Sequence, residues 1–222
     1  MTRQATLQRR DDERAGEIRA CWSCHGPTAR HDLFCSTCKA LQPTLPLDYF
    51  QRLDFERAYD VDTAELDKNY FRYQRLLHPD RFATRTAKER ALSLQHATDI
   101  NDAYKTLGDP LRRAEYLLSL HGVTVNAGAE TIEDPELLTE SIERREALAE
   151  ADSANEVDEI LEQAMVDSDA CRARLSIAFA ENNIREAAQL AVRFKYLLKL
   201  VAEARAARPR HGAGLPLPAA NS

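Results

Sequence analysis

Apolar residues between positions 63 and 107 recur with the period of an α-helix, in two blocks separated by a proline. The first block, residues 63–77, carries an apolar stripe formed by Leu66, Tyr70, Tyr73 and Leu77. Its opposite side is basic, with Lys68, Arg72 and Arg75. Asp62 is placed to cap the first turn, and Glu65 follows three residues later as in a capping box. One face of this helix is therefore expected to be buried, and the other to be exposed and positively charged.

The second apolar block predicts a helix from about Lys88 to Leu107. Its buried face is expected at Ile100, Ala103, Tyr104 and Leu107. The segment Gly108-Asp109-Pro110 follows as a helix stop. Because the two apolar stripes can pack antiparallel, the region predicts a helical hairpin whose connection contains His78-Pro79-Asp80. A tripeptide at such a tip suggests a contact surface.

Beyond residue 135 the pattern changes to three helices, over residues 136–151, 155–181 and 184–204. Pro135 suits a first helical position, and Glu181-Asn182-Asn183 suits the short turn between antiparallel helices. Acidic residues outnumber basic ones by 16 to 4 between residues 130 and 181, whereas basic residues outnumber acidic ones by 7 to 2 between 182 and 210. The last helix is therefore expected to neutralise its neighbours within one bundle. The predicted fold class is mostly α.

Four cysteines near the N-terminus form two CxxC pairs separated by ten residues: Cys21, Cys24, Cys35 and Cys38. Each pair can present two thiolates from one tight turn, and two such turns complete a tetrahedral shell around zinc. The segment has too few apolar residues to fold alone, and structural zinc contributes an apparent ~10–16 kcal/mol in finger peptides. The sequence therefore predicts a structural zinc module at residues 21–42.

Other chemistry stays open for the same cysteines. Cys24 is followed by His25, so the first pair also matches the C-x-x-C-H haem-attachment motif. Paired disulfides, a thiol redox switch or an iron-sulfur cluster would use the same sulfurs, and His25 or His31 can replace one of them. The fifth cysteine, Cys171, is expected to be a small packing residue in an acidic helix.

The composition narrows the class of protein. Of the 222 residues, 44% are hydrophobic and 30% are charged, and no apolar run approaches the roughly 18 residues of a membrane span. A net charge of −6 disfavours a nucleic-acid reader. The first twenty residues hold five arginines but also four acidic residues, so neither a secretory signal nor a transit peptide is expected. The predicted location is cytoplasmic, with the mitochondrial matrix as the alternative.

The hairpin resembles a J domain, the module by which J co-chaperones dock on and activate 70-kDa heat-shock chaperones. The resemblance lies in His78-Pro79-Asp80 and its flanking helices, and three further segments narrow it to the HscB co-chaperones of iron-sulfur cluster assembly. These segments are Asp48-Tyr49-Phe50, residues 100–107 (INDAYKTL) and residues 113–122 (RAEYLLSLHG). The resemblance covers roughly residues 47–200.

This resemblance implies a partner surface and no catalytic site. The residues expected to bind an HscA/DnaK-class 70-kDa chaperone are His78, Pro79, Asp80, Lys68, Arg72, Arg75 and Arg81. The hydrolysed ATP would belong to that chaperone, so the chain is expected to stimulate a partner's ATPase and to be no enzyme itself. His78 and Asp80 lack a third orienting group or a nucleophile in sequence, which argues against acid-base catalysis. A solvated helix face is the alternative for the basic helix residues.

The C-terminal helices resemble the HscB bundle that binds the scaffold protein IscU. Carried over by position, the scaffold-binding residues are Leu137, Leu138, Ile142, Glu143, Glu146 and Tyr196. Leu138, Ile142 and Glu146 share one helix face because they are spaced i, i+4 and i+8. Packing in the bundle core is the alternative for the apolar members. Thr139 departs from the pattern, since relatives tend to have a bulky apolar side chain there.

Some HscB relatives also carry an N-terminal tetracysteine piece similar to this one, whereas others lack it. The zinc module is therefore expected to be accessory, serving stability, oligomerisation or regulation, and a homodimer is left open. The predicted organisation is a flexible N-terminus (1–20), the zinc module (21–42), a J domain (47–122), a three-helix scaffold-binding bundle (135–205) and a disordered tail (206–222).

The predicted function is delivery of an IscU-type scaffold to the chaperone during iron-sulfur cluster biogenesis. Two alternatives belong to other classes. The first is a J-domain co-chaperone that serves a different client. The second is a thiol redox protein that uses the CxxC pairs.

Overall fold

The computed structural model describes residues 18–30, 32–124 and 135–211. Residues 1–17 of the expected flexible N-terminus (1–20), residues 212–222 of the expected disordered tail (206–222), the linker at 126–128 and His31 lie outside the described residues. Two parts of these predictions were wrong, because residues 18–20 form a β-strand and residues 206–211 continue the last helix. The chain divides into two compact units. The first unit comprises residues 1–56 and 62–108, and the second comprises residues 57–61 and 109–222. No helix in the described ranges is long and apolar enough to cross a membrane.

The first unit begins with a short antiparallel hairpin of β1 (Ile18–Ala20) and β2 (Pro27–Ala29). Its helices are α1 (Tyr49–Arg52), α2 (Thr63–Leu77) and α3 (Ala87–Gly108), and a 3₁₀ turn spans Pro79–Phe82 between the last two. Helix α1 begins with a capping box that the sequence analysis did not single out. Asp48 Oδ1 accepts from the backbone N of Gln51 at 2.8 Å, and Gln51 Oε1 accepts from the backbone N of Asp48 at 3.1 Å.

The predicted antiparallel hairpin is confirmed, with α2 at its predicted bounds and α3 within one residue of them. Asp62 caps α2 as expected, accepting from the backbone N of Ala64 at 2.9 Å and of Glu65 at 3.1 Å. Leu66, Leu77 and Leu107 are each 1% exposed or less. Burial of each such side chain stabilises the fold by about 1.5–3 kcal/mol, so the two stripes supply the driving force for the hairpin.

Polar residues of α2 also lie in the interior of this unit, and each has a hydrogen-bond partner. Asn69 is buried, and its Nδ2 donates to the carbonyl of Leu53 at 2.9 Å. Tyr70 stacks on Tyr104 with ring centroids 4.0 Å apart, and its hydroxyl donates to Asn101 Oδ1 at 3.0 Å. The contacts of Tyr70 fix the register of the two helices, and none of these groups is left as an unpaired buried polar atom.

The second unit contains α4 (Pro110–Leu120), α5 (Pro135–Glu150), α6 (Ala154–Ala180) and α7 (Ile184–His211). Its core includes a cluster between α6 and α7 formed by Leu161, Ala164, Leu200, Val201 and Ala204. The three predicted bundle helices are confirmed, although α7 extends seven residues beyond its predicted end at Ala204. Asn182 adopts a φ of 56° between α6 and α7, a left-handed turn conformation that Asn tolerates.

The expected charge complementarity of the bundle is confirmed. Arg193 of α7 pairs with Glu140 of α5 at 2.7 Å, and Arg208 of α7 pairs with Asp158 of α6 at 2.8 Å. The basic excess of the last helix is thus used within the unit, against the acidic excess of its neighbours.

The compact units differ from the predicted domain boundaries in two ways. Helix α4, expected to belong with the J hairpin, packs against α7, where Lys195 pairs with Glu115 at 3.4 Å. The short segment 57–61 joins the same unit, because Arg113 of α4 donates to the carbonyl of Tyr59 at 2.6 Å and Tyr59 stacks on Phe179 of α6. The cysteine segment, expected to be a separate module, shares one unit with the hairpin.

Candidate functional sites

The tip of the hairpin is built by a proline that ends one helix and starts another turn. Helix α2 stops at Leu77, and His78 has an extended ψ of 130°, as the steric clash with a following proline favours. Pro79 then occupies the first position of the 3₁₀ turn, and Phe82 anchors that turn with only 6% of its surface exposed. The backbone of the tip is therefore held by sterics and by one buried aromatic side chain.

The polar groups of this tip point into solvent. The side chains of His78 and Asp80 are 50% and 92% exposed. His78 Nδ1 accepts from the backbone N of Asp80 at 3.3 Å, and it lies 3.6 Å from Asp80 Oδ2. The imidazole is thus oriented by its neighbour, while the carboxylate remains available to an outside donor.

Basic side chains follow the exposed side of α2 towards the tip. Arg81 folds back to donate to the carbonyl of Arg75 at 2.8 Å, which places its guanidinium over the end of α2. Lys68 is also exposed. Arg72 differs from the others because it forms an ion pair with Asp54, whose carboxylate also accepts from the Tyr73 hydroxyl at 2.8 Å. The positive charge of this face therefore rests mainly on the other three residues.

One further exposed residue lies on the basic face and was missed from the sequence. Phe71 has 56% of its surface exposed, and it lies between Lys68 and Arg75 on the same side of α2. The available signal was its position off the apolar stripe, but a single exposed apolar residue is common on protein surfaces, so the signal was weak.

The scaffold-binding residues predicted on α5 divide into exposed and buried members. Leu138 and Ile142 are 39% and 47% exposed, and Glu143 and Glu146 are exposed beside them. Leu137, in contrast, is 6% exposed and faces the interior. Leu138 and Ile142 are therefore not core residues, so the alternative of core packing applies to Leu137 alone.

Residues of α5 and α7 together line a shallow depression. It includes Leu137, Tyr196 and Leu197, together with Glu140 and Arg193. Tyr196, the last predicted scaffold-binding residue, is half-buried in this lining. The ion pair between Glu140 and Arg193 closes one side of the depression and fixes α5 on the bundle.

The four N-terminal cysteines come together through two turns of the same design. In the first turn, His25 N donates to the carbonyl of Cys21 at 3.0 Å; in the second, Lys39 N donates to the carbonyl of Cys35 at 3.0 Å. His25 and Lys39 both have a left-handed φ, of 58° and 62°. His25 is therefore the turn-closing residue of the first CxxC pair, and the described sulfur cluster consists of the four cysteines.

The spacing of the four sulfurs fits a tetrahedral metal centre. Cys21 Sγ lies 3.7 Å from Cys38 Sγ, Cys24 Sγ lies 3.8 Å from Cys35 Sγ, and all four sulfurs lie within 4.8 Å of one another. Four thiolates bound at about 2.3 Å to one ion are roughly 3.8 Å apart. None of the four is in a disulfide. The group can hold a metal ion with little rearrangement.

Hydrogen bonds around the sulfurs favour the thiolate form at two positions. Burial raises the pKa of Cys21, but the backbone N–H groups of Cys24 and Ser23 and the Gln42 amide outweigh burial and lower it to about 6. The backbone N–H of Cys38 lowers the pKa of Cys35. The N–H of Gly26 favours the thiolate of Cys24, yet hydrogen bonding with the other sulfurs raises its pKa to about 11. A bound cation would therefore compete with protons for part of the cluster.

The fifth cysteine is a packing residue, as expected. Cys171 is 4% exposed, and its Sγ contacts the carbonyl of Leu190 at 3.3 Å. Burial raises its pKa to about 11, so the thiol stays protonated and unreactive near neutral pH.

The chain is similar to known proteins over most of its length. Residues 133–205 match the family model described as the HSCB C-terminal oligomerisation domain. The human iron-sulfur cluster co-chaperone protein HscB is 39% identical over 180 residues, which cover 79% of this chain and 77% of that protein.

Two solved structures show a similar fold. The crystal structure of human co-chaperone protein HscB has a TM-score of 0.79 at 36% identity and covers 84% of this chain and 96% of its own. Chaperone HscB from Vibrio cholerae has a TM-score of 0.66 at 33% identity and covers 74% of this chain and 99% of its own. The exposed His-Pro-Asp tip, the helical bundle and these similarities lead to one conclusion: the chain belongs to the HscB family of J-type co-chaperones of iron-sulfur cluster assembly.

Proposed function

We propose that the chain delivers an IscU-type iron-sulfur scaffold to an HscA/DnaK-class 70-kDa chaperone and stimulates that chaperone's ATPase. The observation that carries the proposal is the exposure of His78 and Asp80 at the end of a basic helix. The imidazole caps the 3₁₀ turn with one nitrogen, and the Asp80 carboxylate remains 92% exposed. They are suited to charged hydrogen bonds with a partner.

The basic face supports docking on an acidic surface. Lys68 and Arg75 lie along α2 and Arg81 lies at the tip, so the expected partner surface is negatively charged. Complementary charge mainly speeds encounter and sets orientation, which suits a partner that is bound and released in a cycle. Phe71 adds an exposed aromatic side chain to the same side of α2, and aromatic residues are enriched among those that contribute most to binding.

The exposed patch on α5 supports binding of the scaffold. Leu138 and Ile142 present apolar surface next to two carboxylates, and large exposed apolar side chains arranged on one helix face are typical of a protein contact. A chain that holds scaffold and chaperone together raises the effective concentration of one for the other. Each separate contact can then be modest.

Structural zinc is the metal proposed for the four thiolates. An all-sulfur tetrahedral set with no position left for substrate is typical of structural zinc, and Cys21, Cys24, Cys35 and Cys38 are its ligands. When bound, the ion would supply folding energy and no reaction chemistry. Zinc determination together with thiol titration of the purified chain tests this assignment and separates it from the redox alternative.

Binding to two purified partners tests the delivery proposal. The immobilised chain is expected to bind the scaffold with or without ATP, and to bind the chaperone in an ATP-dependent manner. His78→Gln should lose the chaperone and keep the scaffold. His121→Gln, at an exposed histidine far along the sequence from the tip, is the matched control and should keep both. A His78→Gln variant that binds the chaperone normally would refute the J assignment.

A further inference from the structure

Gln42 connects the four-thiolate centre to the J hairpin within one compact unit. Its side chain is buried, and its Nε2 donates to Cys21 Sγ at 3.3 Å and to the carbonyl of Ala40 at 2.8 Å. Its backbone N donates to the carbonyl of Leu33 at 2.7 Å. The residue is therefore fixed by the cysteine segment and contacts one of the metal-binding sulfurs directly.

The opposite side of Gln42 meets helix α3. His96 is 5% exposed, and its Nε2 lies 2.9 Å from the carbonyl oxygen of Gln42. Because a carbonyl can only accept, Nε2 carries the hydrogen and the ring is the donor. Burial lowers the pKa of His96, so the ring stays neutral. A single residue thus accepts from α3 and donates to a metal ligand.

A second contact joins the same two parts. The Lys88 ammonium of α3 lies 4.3 Å from the ring centroid of Trp22, the residue after Cys21. The Trp22 indole N–H donates to the carbonyl of Leu41 at 2.7 Å, beside Gln42. Two independent contacts, eight residues apart on α3, hold the cysteine segment on this helix.

Helix α3 also supports the tip of the hairpin. Ser93 Oγ donates to the carbonyl of Leu77 at 2.7 Å, at the residue that precedes His78. The 3₁₀ turn of the tip packs on α3 as well. Because Ser93 and His96 are less than one helical turn apart, the attachments of the metal module and of the tip lie on the same short stretch of α3.

We propose that Gln42 is a positioning residue that couples metal occupancy of the four-thiolate centre to the J hairpin. A bound ion orders the Cys21 sulfur and hence the Gln42 amide, and Gln42 in turn holds α3 through His96. The inference rests on the proposed zinc site and goes beyond it. It assigns the metal a role in supporting the chaperone-binding tip, whereas an independent module would leave the hairpin unchanged on metal loss.

Because coupling is reciprocal, it can also be measured through a substitution on α3, at a residue that contacts none of the four sulfurs. If the metal stabilises the contact between Gln42 and α3, removing that contact from the α3 side must weaken zinc binding. His96→Leu removes the donor to Gln42 while filling the space. It is expected to lower zinc affinity about tenfold, and Gln42→Ala to lower it roughly 10–100-fold, the range for partners of metal ligands. The measurement is competition with a chromophoric chelator.

Two further variants separate positioning from general destabilisation. His96→Gln keeps an N–H donor, so it should restore zinc affinity to within about twofold of the unchanged chain, given the reach of its amide. Tyr104→Phe, also on α3, removes a hydrogen bond to Asp67 of α2, away from Gln42, and should leave zinc affinity unchanged. In the cobalt-loaded chain, Gln42→Ala is expected to shift the sulfur-to-cobalt charge-transfer band, because Cys21 Sγ loses a donor.

Hydrogen exchange of the whole chain completes the test. On chelation of zinc, amides between residues 92 and 100 should exchange at least about tenfold faster, while those of α6 keep their rates, since local opening is set by the contacts that each segment retains. Zinc binding with unchanged affinity in His96→Leu, or α3 amides indifferent to chelation, would overturn the coupling and leave the zinc assignment intact. A chain that binds no zinc at all would overturn both.

Discussion

The hairpin tip and the α5 patch are both exposed, but they differ in chemistry. At the tip, His78 and Asp80 present polar atoms beside basic side chains, and Phe82 is buried beneath them. On α5, Leu138 and Ile142 remain exposed next to carboxylates. We therefore expect two kinds of partner contact. Charged surfaces favour fast, salt-sensitive encounter, whereas apolar surfaces gain affinity from area removed from water.

Neighbouring leucines on α5 give the largest expected effect. Leu137→Ala should lower the free energy of unfolding by about 2–5 kcal/mol, because it removes a buried side chain. Leu138→Ala should change it by less than about 0.5 kcal/mol, as is usual for exposed positions. Chemical denaturation followed by circular dichroism compares the two. Equal destabilisation by both variants would show that the patch is part of the core.

The second-largest expected effect is weaker scaffold binding after loss of the exposed patch on α5. Replacing Leu138 and Ile142 together by alanine should raise the dissociation constant for the scaffold roughly tenfold or more, since central apolar contacts cost over ~1 kcal/mol each when truncated. Calorimetric titration measures the affinity. The matched control is the pair Val166→Ala and Ile177→Ala on α6, which are 56% and 57% exposed; a similar loss in that control would remove the assignment to α5.

Substitutions on the basic face should have the smallest effect, and this effect should depend most strongly on salt concentration. Lys68→Ala or Arg75→Ala is expected to slow chaperone association a few-fold at low ionic strength, and less at high salt, as for charges at the rim of an interface. Arg72→Ala should instead act mainly on the contact with Asp54, with a weaker salt dependence. Stopped-flow association rates at two salt concentrations distinguish the three variants. Identical behaviour of all three would contradict the division of the face.

The local features of the fold were predictable from the sequence, because their signals are local. The helical period of the apolar residues, the proline and the capping residue predicted α2 and the hairpin connection. The CxxC spacing predicted the four-sulfur cluster. The pairing of Arg72 with Asp54 was not predictable, since those residues are 18 positions apart and meet only after α1 has folded. The same applies to Gln42 and His96, which are 54 positions apart.

Burial was the harder part of the site to predict. Leu137 and Leu138 are chemically identical, and only the rotation of α5 on the bundle decides which one is exposed. The division of the chain was also missed, because the J-domain resemblance continues through α4 while the contacts of Glu115 and Arg113 attach that helix to the bundle unit. The resemblance to J domains reflects sequence similarity, whereas the compact units reflect contacts in the folded chain, and at α4 the two differ.

Single-turnover ATP hydrolysis by the partner chaperone tests the central claim most directly. With scaffold present, the unchanged chain should accelerate hydrolysis, and His78→Gln should leave the rate at its basal value while scaffold affinity stays the same. Acceleration by His78→Gln equal to that of the unchanged chain would contradict the account.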